Sequence, residues 1–244
     1  MKKHLSVIGL FCRSTIYRLL GVSVLAIAAE IILFVLAMKN NPDYGIEMLI
    51  STAYIPVVFL LWFMLFTVVL VLPGCDFKSC SAYTFRRLRI SEKAVFVCQS
   101  IYNAVCYLML LCIQIVAAYG LCMIYTHFAP AELLSGHTVF LAFYRSDFLH
   151  SILPLQEGVR WGLMAIAVLS MGICSADFPY MNRRGSFGFV TVANAVIVAG
   201  FFVKELGYFA LLSFATFLTS GVALFNVFTD EEEEDEIYEN GAAI

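Results

Sequence analysis

Charge is scarce in this 244-residue chain. Asp, Glu, Lys and Arg make up 14% of it, against roughly 25% in an ordinary soluble domain. With 61% apolar residues and a mean hydropathy of +0.88, that scarcity excludes a soluble globular fold. Glycine is nowhere followed by lysine, so the loop that cradles nucleotide phosphates is absent and the chain cannot bind ATP by that route. H-E-x-x-H, G-x-S-x-G and paired carboxylates within an apolar run are missing too, so the chain is read as no enzyme and as needing no cofactor. None of the eight cysteines forms a C-x-x-C pair, and most lie in apolar runs, where a free thiol packs as a small hydrophobe. Basic residues are too few and too scattered for a nucleic-acid partner.

Long apolar runs are what the chain has instead. They cover 19–38, 47–72, 94–126, 159–176, 187–203 and 207–228, and about 20 apolar residues suffice for one helical crossing. The expected fold class is therefore all-α: a polytopic membrane protein with six transmembrane helices. An even number of spans puts both termini on one side. If that side is the cytoplasm, it receives Lys2, Lys3, Arg13, Arg18, Lys78, Arg86, Arg87, Arg89, Lys93, Arg183 and Arg184, while only Lys39, Arg145, Arg160 and Lys204 fall outside. That asymmetry follows the positive-inside rule and sets the expected topology, a multi-pass protein of the cell membrane with both termini cytoplasmic. The third run, 33 residues and roughly 50 Å as a helix, exceeds the hydrocarbon core of about 30 Å and must project, on the cytoplasmic side.

Three segments follow from this pattern. Residues 1–18, which start with Lys2 and Lys3 but show no cleavage site, are expected to be retained as a cytoplasmic interfacial helix, its stripe running Leu5, Ile8, Cys12, Ile16 and Leu19. Residues 19–228 form the six-span domain. Residues 229–244 hold eight of the 18 acidic residues and read as a solvated, disordered cytoplasmic tail. The outer segment 127–158 contains His127, His137 and His150 at spacings that match no metal motif, and reads as a solvated loop with short helices.

Lipid tolerates polar side chains only where they face other helices or a wet cavity. Glu30, near the middle of the first span, is the sharpest case. Gln99, Asn103, Cys106 and Gln114 fall within about 80° of one another on the third span at 100° per residue, and form one face. Ser213, Thr216 and Ser220 align on the sixth span, Thr191 and Asn194 on the fifth. By depth alone, Gln114 and Asn194 are the expected hydrogen-bond partners of Glu30. Two readings stand for this set: hydrogen bonding between helices, or a pathway lined by Glu30, Gln99, Asn103, Gln114 and Asn194.

The segment 75–93, between the second and third spans, carries five basic residues and the sequence Tyr83-Thr84-Phe85-Arg86-Arg87-Leu88-Arg89-Ile90-Ser91-Glu92-Lys93. Tyr-Thr-x-x-x-Leu-x-Ile-Ser, then a charged residue and a new apolar run, resembles the first cytoplasmic loop of ABC-2 type permeases, the membrane subunits of type V ABC transporters. The order of elements along the chain is similar as well. The resemblance implies a coupling helix that docks on an ABC ATPase subunit carried by a separate chain, with Tyr83, Thr84, Arg86, Arg87, Leu88, Arg89 and Ser91 as the contact residues. It also implies a second permease copy or paralogue as partner in the bilayer, and export of a peptide, lipid or drug-like amphipath. A basic loop can equally serve only to hold anionic lipid. Other readings are an ATP-independent secondary transporter or ligand-binding membrane component, and a membrane scaffold or assembly protein.

Overall fold

The computed structural model describes residues 2–75, 91–129, 136–155, 157–186, 188–199 and 206–241, with the last helix beyond 229 given as backbone. All regular structure among them is helical. The helices are α1 (Lys2–Asn40), α2 (Ile46–Thr52), α3 (Ile55–Val71), α4 (Glu92–Phe128), α5 (Thr138–Arg145), α6 (Asp147–Ile152), α7 (Gly158–Arg183), α8 (Phe189–Ala199) and α9 (Leu206–Gly241); a 3-10 turn, Leu72–Gly74, ends α3. Helix is the expected outcome where no water is present to satisfy backbone polar groups.

Five helical stretches are long and apolar enough to cross a membrane: Ser6–Asn40, Ile55–Gly74, Glu92–Phe128, Gly158–Arg183 and Tyr208–Thr229. The protein is therefore a helical membrane protein. The run at 187–203 differs from the rest. Its described helix, α8, has 11 residues, about 16 Å of rise against a hydrocarbon core of about 30 Å.

Three further boundaries differ from the sequence reading. No helix boundary falls at residue 18, because α1 runs unbroken for 39 residues from Lys2 to Asn40. Its first half is tied into the bundle: Val7, Phe11 and Thr15 are buried, the Phe11 ring stacks on Tyr102, and the Thr15 and Tyr102 hydroxyls share a hydrogen bond. The run 47–72 is two helices. Tyr54 adopts a left-handed conformation (φ 54°) that stops α2, and Pro56, which lacks an N–H, sits in the first turn of α3. The acidic run beyond Asp230 continues α9 to Gly241 as helical backbone instead of leaving it as coil, since Glu is a good helix former and the apolar half supplies the nucleus.

Contacts fix the direction of each element. At one end, here the proximal end, Arg183 of α7 donates to the Gly74 carbonyl (3.2 Å), Phe96 of α4 packs edge-on against Tyr180, and Lys93 lies over the Phe228 ring of α9. At the distal end the Tyr125 hydroxyl of α4 donates to the Tyr44 carbonyl, and Arg160 of α7 lies over the Phe209 ring of α9. Helix α4 runs through the middle, with Gln99, Asn103, Cys106, Tyr107, Leu110, Gln114, Ala118, Leu121, Cys122 and Tyr125 forming its buried stripe at spacings of three and four. Its closest neighbour is α7. A Cβ on Gly172 would fall 2.7 Å from Ala104 Cβ and 2.8 Å from the Ser100 carbonyl oxygen, so only glycine permits this approach.

Candidate functional site

Glu30 sits on the buried face of α1, which continues through Ser23, Phe34 and Ala37. Its side chain has no solvent exposure, and Gln114 Nε2 donates to both carboxyl oxygens, at 3.1 and 3.3 Å. Gln114 Oε1 is buried without a partner among the described residues. The carboxyl group is thus held by a neutral amide from α4. Asn194, the other residue placed at this depth by the sequence, has no hydrogen bond to Glu30 and instead accepts from Thr219 Oγ1 of α9 at 3.3 Å.

A second polar set crosses the bundle in its proximal half, and it assembles from five helices. Tyr107 of α4 donates to Thr67 Oγ1 of α3 (3.1 Å), and Asn103 Nδ2, one turn earlier, donates to Ser175 Oγ of α7 (2.9 Å). Thr191 of α8 donates to the Cys174 carbonyl of α7, and the Cys174 thiol approaches Thr219 of α9 (3.9 Å). Ser170 Oγ meets Ser220 Oγ at 3.4 Å. Asp177, one turn beyond Cys174, is fully buried. Such bonds between membrane helices contribute about 0.6 kcal/mol each on average, so the layer fixes register more than it adds stability.

Distal to this layer lies a small apolar cavity of about 60 Å³, with Phe63, Leu110, Met164, Val168 and Phe209 among its walls and Tyr107 at its floor. An engineered apolar cavity of about 150 Å³ binds benzene, so this one, at less than half that volume, is too small for such a guest.

At the proximal end the 3-10 turn is clamped between helices. A Cβ on Gly74 would fall 2.6 Å from Pro179 Cβ and 3.0 Å from Gln99 Nε2, and both amide atoms of Gln99 are buried without a partner among the described residues. Cys75, next in the chain and just outside the α3 span, is also buried, and burial pushes its thiol up to about 11 despite the nearby Arg183 guanidinium. Tyr83, Thr84, Arg86, Arg87, Leu88 and Arg89 lie outside the described residues. Ser91 is exposed and caps α4 through its backbone carbonyl, which accepts from Val95 N.

The pathway residues expected from the sequence therefore separate into three places: Glu30 with Gln114, Asn103 and Asn194 in the cross-bundle layer, and Gln99 beneath the turn. All of them are buried. Residues that sequence reading passed over are Thr67, Tyr107, Ser175 and Asp177. Tyr107 was legible in principle, since it follows Asn103 by one helical turn. Among the described residues no group of three His, Cys, Asp or Glu side chains could hold a metal ion. No family model matches the chain, and no curated protein or solved structure is significantly similar to it.

Proposed function

We propose that the chain is the membrane-spanning permease subunit of an ABC transporter, driven by an ATPase subunit on a separate chain and exporting a peptide, lipid or drug-like amphipath. In this reading the bundle crosses a cell membrane six times, counting the run that contains α8, with both termini cytoplasmic and the distal end outside. The observation that carries it is the position of α4. This helix starts two residues after the basic segment 76–90 and is 37 residues long, about 55 Å, well beyond one crossing. It is hydrogen-bonded to three other long helices, α1 through Glu30, α3 through Thr67 and α7 through Ser175. A push on the loop would reach all three through one rigid element, and the small cavity would widen by rearrangement of the layer around Tyr107.

The Glu30–Gln114 pair favours a second reading, an ATP-independent transporter in which Glu30 is an ion or ligand site. One experiment separates the two. The tagged protein should co-purify with a stoichiometric ATPase subunit, and replacing Arg86, Arg87 and Leu88 together with Ala should abolish most substrate-stimulated ATP hydrolysis at unchanged expression. Ion-coupled flux with no ATPase bound supports the second reading; hydrolysis at the wild-type level in the triple variant reduces the loop to a topology determinant.

A further inference from the structure

The distal end holds two recesses that share the short helix α5. One is a charged cleft of about 720 Å³ whose walls include Glu47, Arg145, Asp147, His150, Glu157 and Arg160. The other is an apolar groove of about 590 Å³ between α4 and α5, with Ile115, Val116, Tyr119, Phe140 and Phe143 in its walls. Phe140 and Tyr144 stack one turn apart on α5 with parallel rings (6.4 Å), and Tyr144 meets the His150 ring edge-on (6.3 Å). An aromatic ridge therefore runs from the groove into the cleft. The groove opens on the side of the bundle: Val116 and Tyr119 on the long apolar helix α4 and Phe140 on α5 are exposed.

The charges in the cleft are of both signs and unequal in their engagement. Glu157 and Arg160 pair closely, with Arg160 buried. Glu47 and Arg145 face each other at 3.7 Å with side chains 40% and 62% exposed, a long and wet contact in which each charge can still take a ligand. His150 adds a buried Nδ1 with no hydrogen-bond partner among the described residues. A ligand that suits this arrangement presents a cation to Glu47 and an anion to Arg145 while placing an apolar chain along the ridge into the groove. A purely anionic headgroup would meet three carboxylates.

We propose that this distal end is a binding site for a zwitterionic phospholipid, its phosphate at Arg145, its ammonium at Glu47 and one acyl chain in the groove beside Val116 and Phe140. The site does not depend on the transport reading, because binding is measured without flux or ATPase.

The test uses the full chain purified in detergent, with lipid binding followed by native mass spectrometry at graded concentrations of phosphatidylethanolamine, phosphatidylglycerol and diacylglycerol of the same acyl chains. Phosphatidylethanolamine should bind at least fivefold more tightly than either of the others, about what 1 kcal/mol supplies. The double variant Glu47→Ala, Arg145→Ala, at two exposed positions, should bring phosphatidylethanolamine down to the diacylglycerol level. Val116→Trp should weaken all three lipids together by filling the groove, and circular dichroism should show both variants folded. Equal binding of the three lipids, a preference for phosphatidylglycerol, or a preference that survives in the double variant would overturn the proposal.

Discussion

The Glu30–Gln114 contact allows stability and transport to be separated by substitution at one position. Glu30→Leu removes both acceptors of Gln114 Nε2. Gln114 Oε1 is already unmatched, so the whole amide would then be buried without a partner. An orphaned buried polar group costs about 1–3 kcal/mol, and interhelical bonds in membranes reach about 1.7 kcal/mol at most, so a loss of about 1–2 kcal/mol is expected. Adding Gln114→Leu replaces the orphan with an apolar side chain and should recover most of that loss, giving a coupling energy of about 1 kcal/mol in the double-mutant cycle. Glu30→Gln behaves differently. Its carbonyl can accept from Gln114 Nε2 while its own amide donates to Gln114 Oε1, so each amide both donates and accepts and stability should stay close to that of the native chain. Unfolding by SDS titration in mixed micelles, followed by circular dichroism, measures Glu30→Leu, Gln114→Leu, the double variant and Glu30→Gln. If transport falls in Glu30→Gln while stability does not, the carboxyl group itself serves the pathway. A cycle that is additive within about 0.3 kcal/mol, with wild-type transport for Glu30→Leu, would refute the reasoning.

Two other outcomes follow from close packing and burial. Gly172→Ala brings a Cβ to 2.7 Å from Ala104 Cβ, where about 3.5–4.0 Å is normal. Helices α4 and α7 must then separate by about 1 Å, at about 1–3 kcal/mol; Ala104→Gly in the same chain should restore only part, because the Ser100 carbonyl oxygen at 2.8 Å remains, and thermal unfolding in detergent measures both. Cys75, with its thiol raised to about 11 by burial, should resist maleimide at pH 7.4 in the folded protein and react once SDS unfolds it. The folded state favours the neutral thiol, so its contribution to stability is complete below an unfolded pKa of about 8.5 and declines as pH rises from there towards 11. Labelling of native Cys75 as fast as a small-molecule thiol would show that it is open to water.

Composition and periodicity determined the membrane-helical class, the approximate positions of the long apolar helices and the shared face of Gln99, Asn103, Cys106 and Gln114, because these depend only on apolar run length and the 3.6-residue repeat. The break at Tyr54 escaped that reading. Ile46–Thr52 and Ile55–Val71 are both apolar, and hydropathy carries no information on a left-handed residue between them. The continuity of α1 escaped it as well, since Phe11 and Thr15 are held by Tyr102, more than 80 positions away in the chain. Depth along a helix was enough to suggest Gln114 for Glu30, but it could not decide between Gln114 and Asn194, because depth says nothing about which way a helix faces. Rotation about the helix axis is set by packing. Only the tertiary structure could turn Asn194 towards Thr219, bring Ser175 to Asn103 through the gap that Gly172 leaves, and place Arg145 opposite Glu47 at the far end of the bundle.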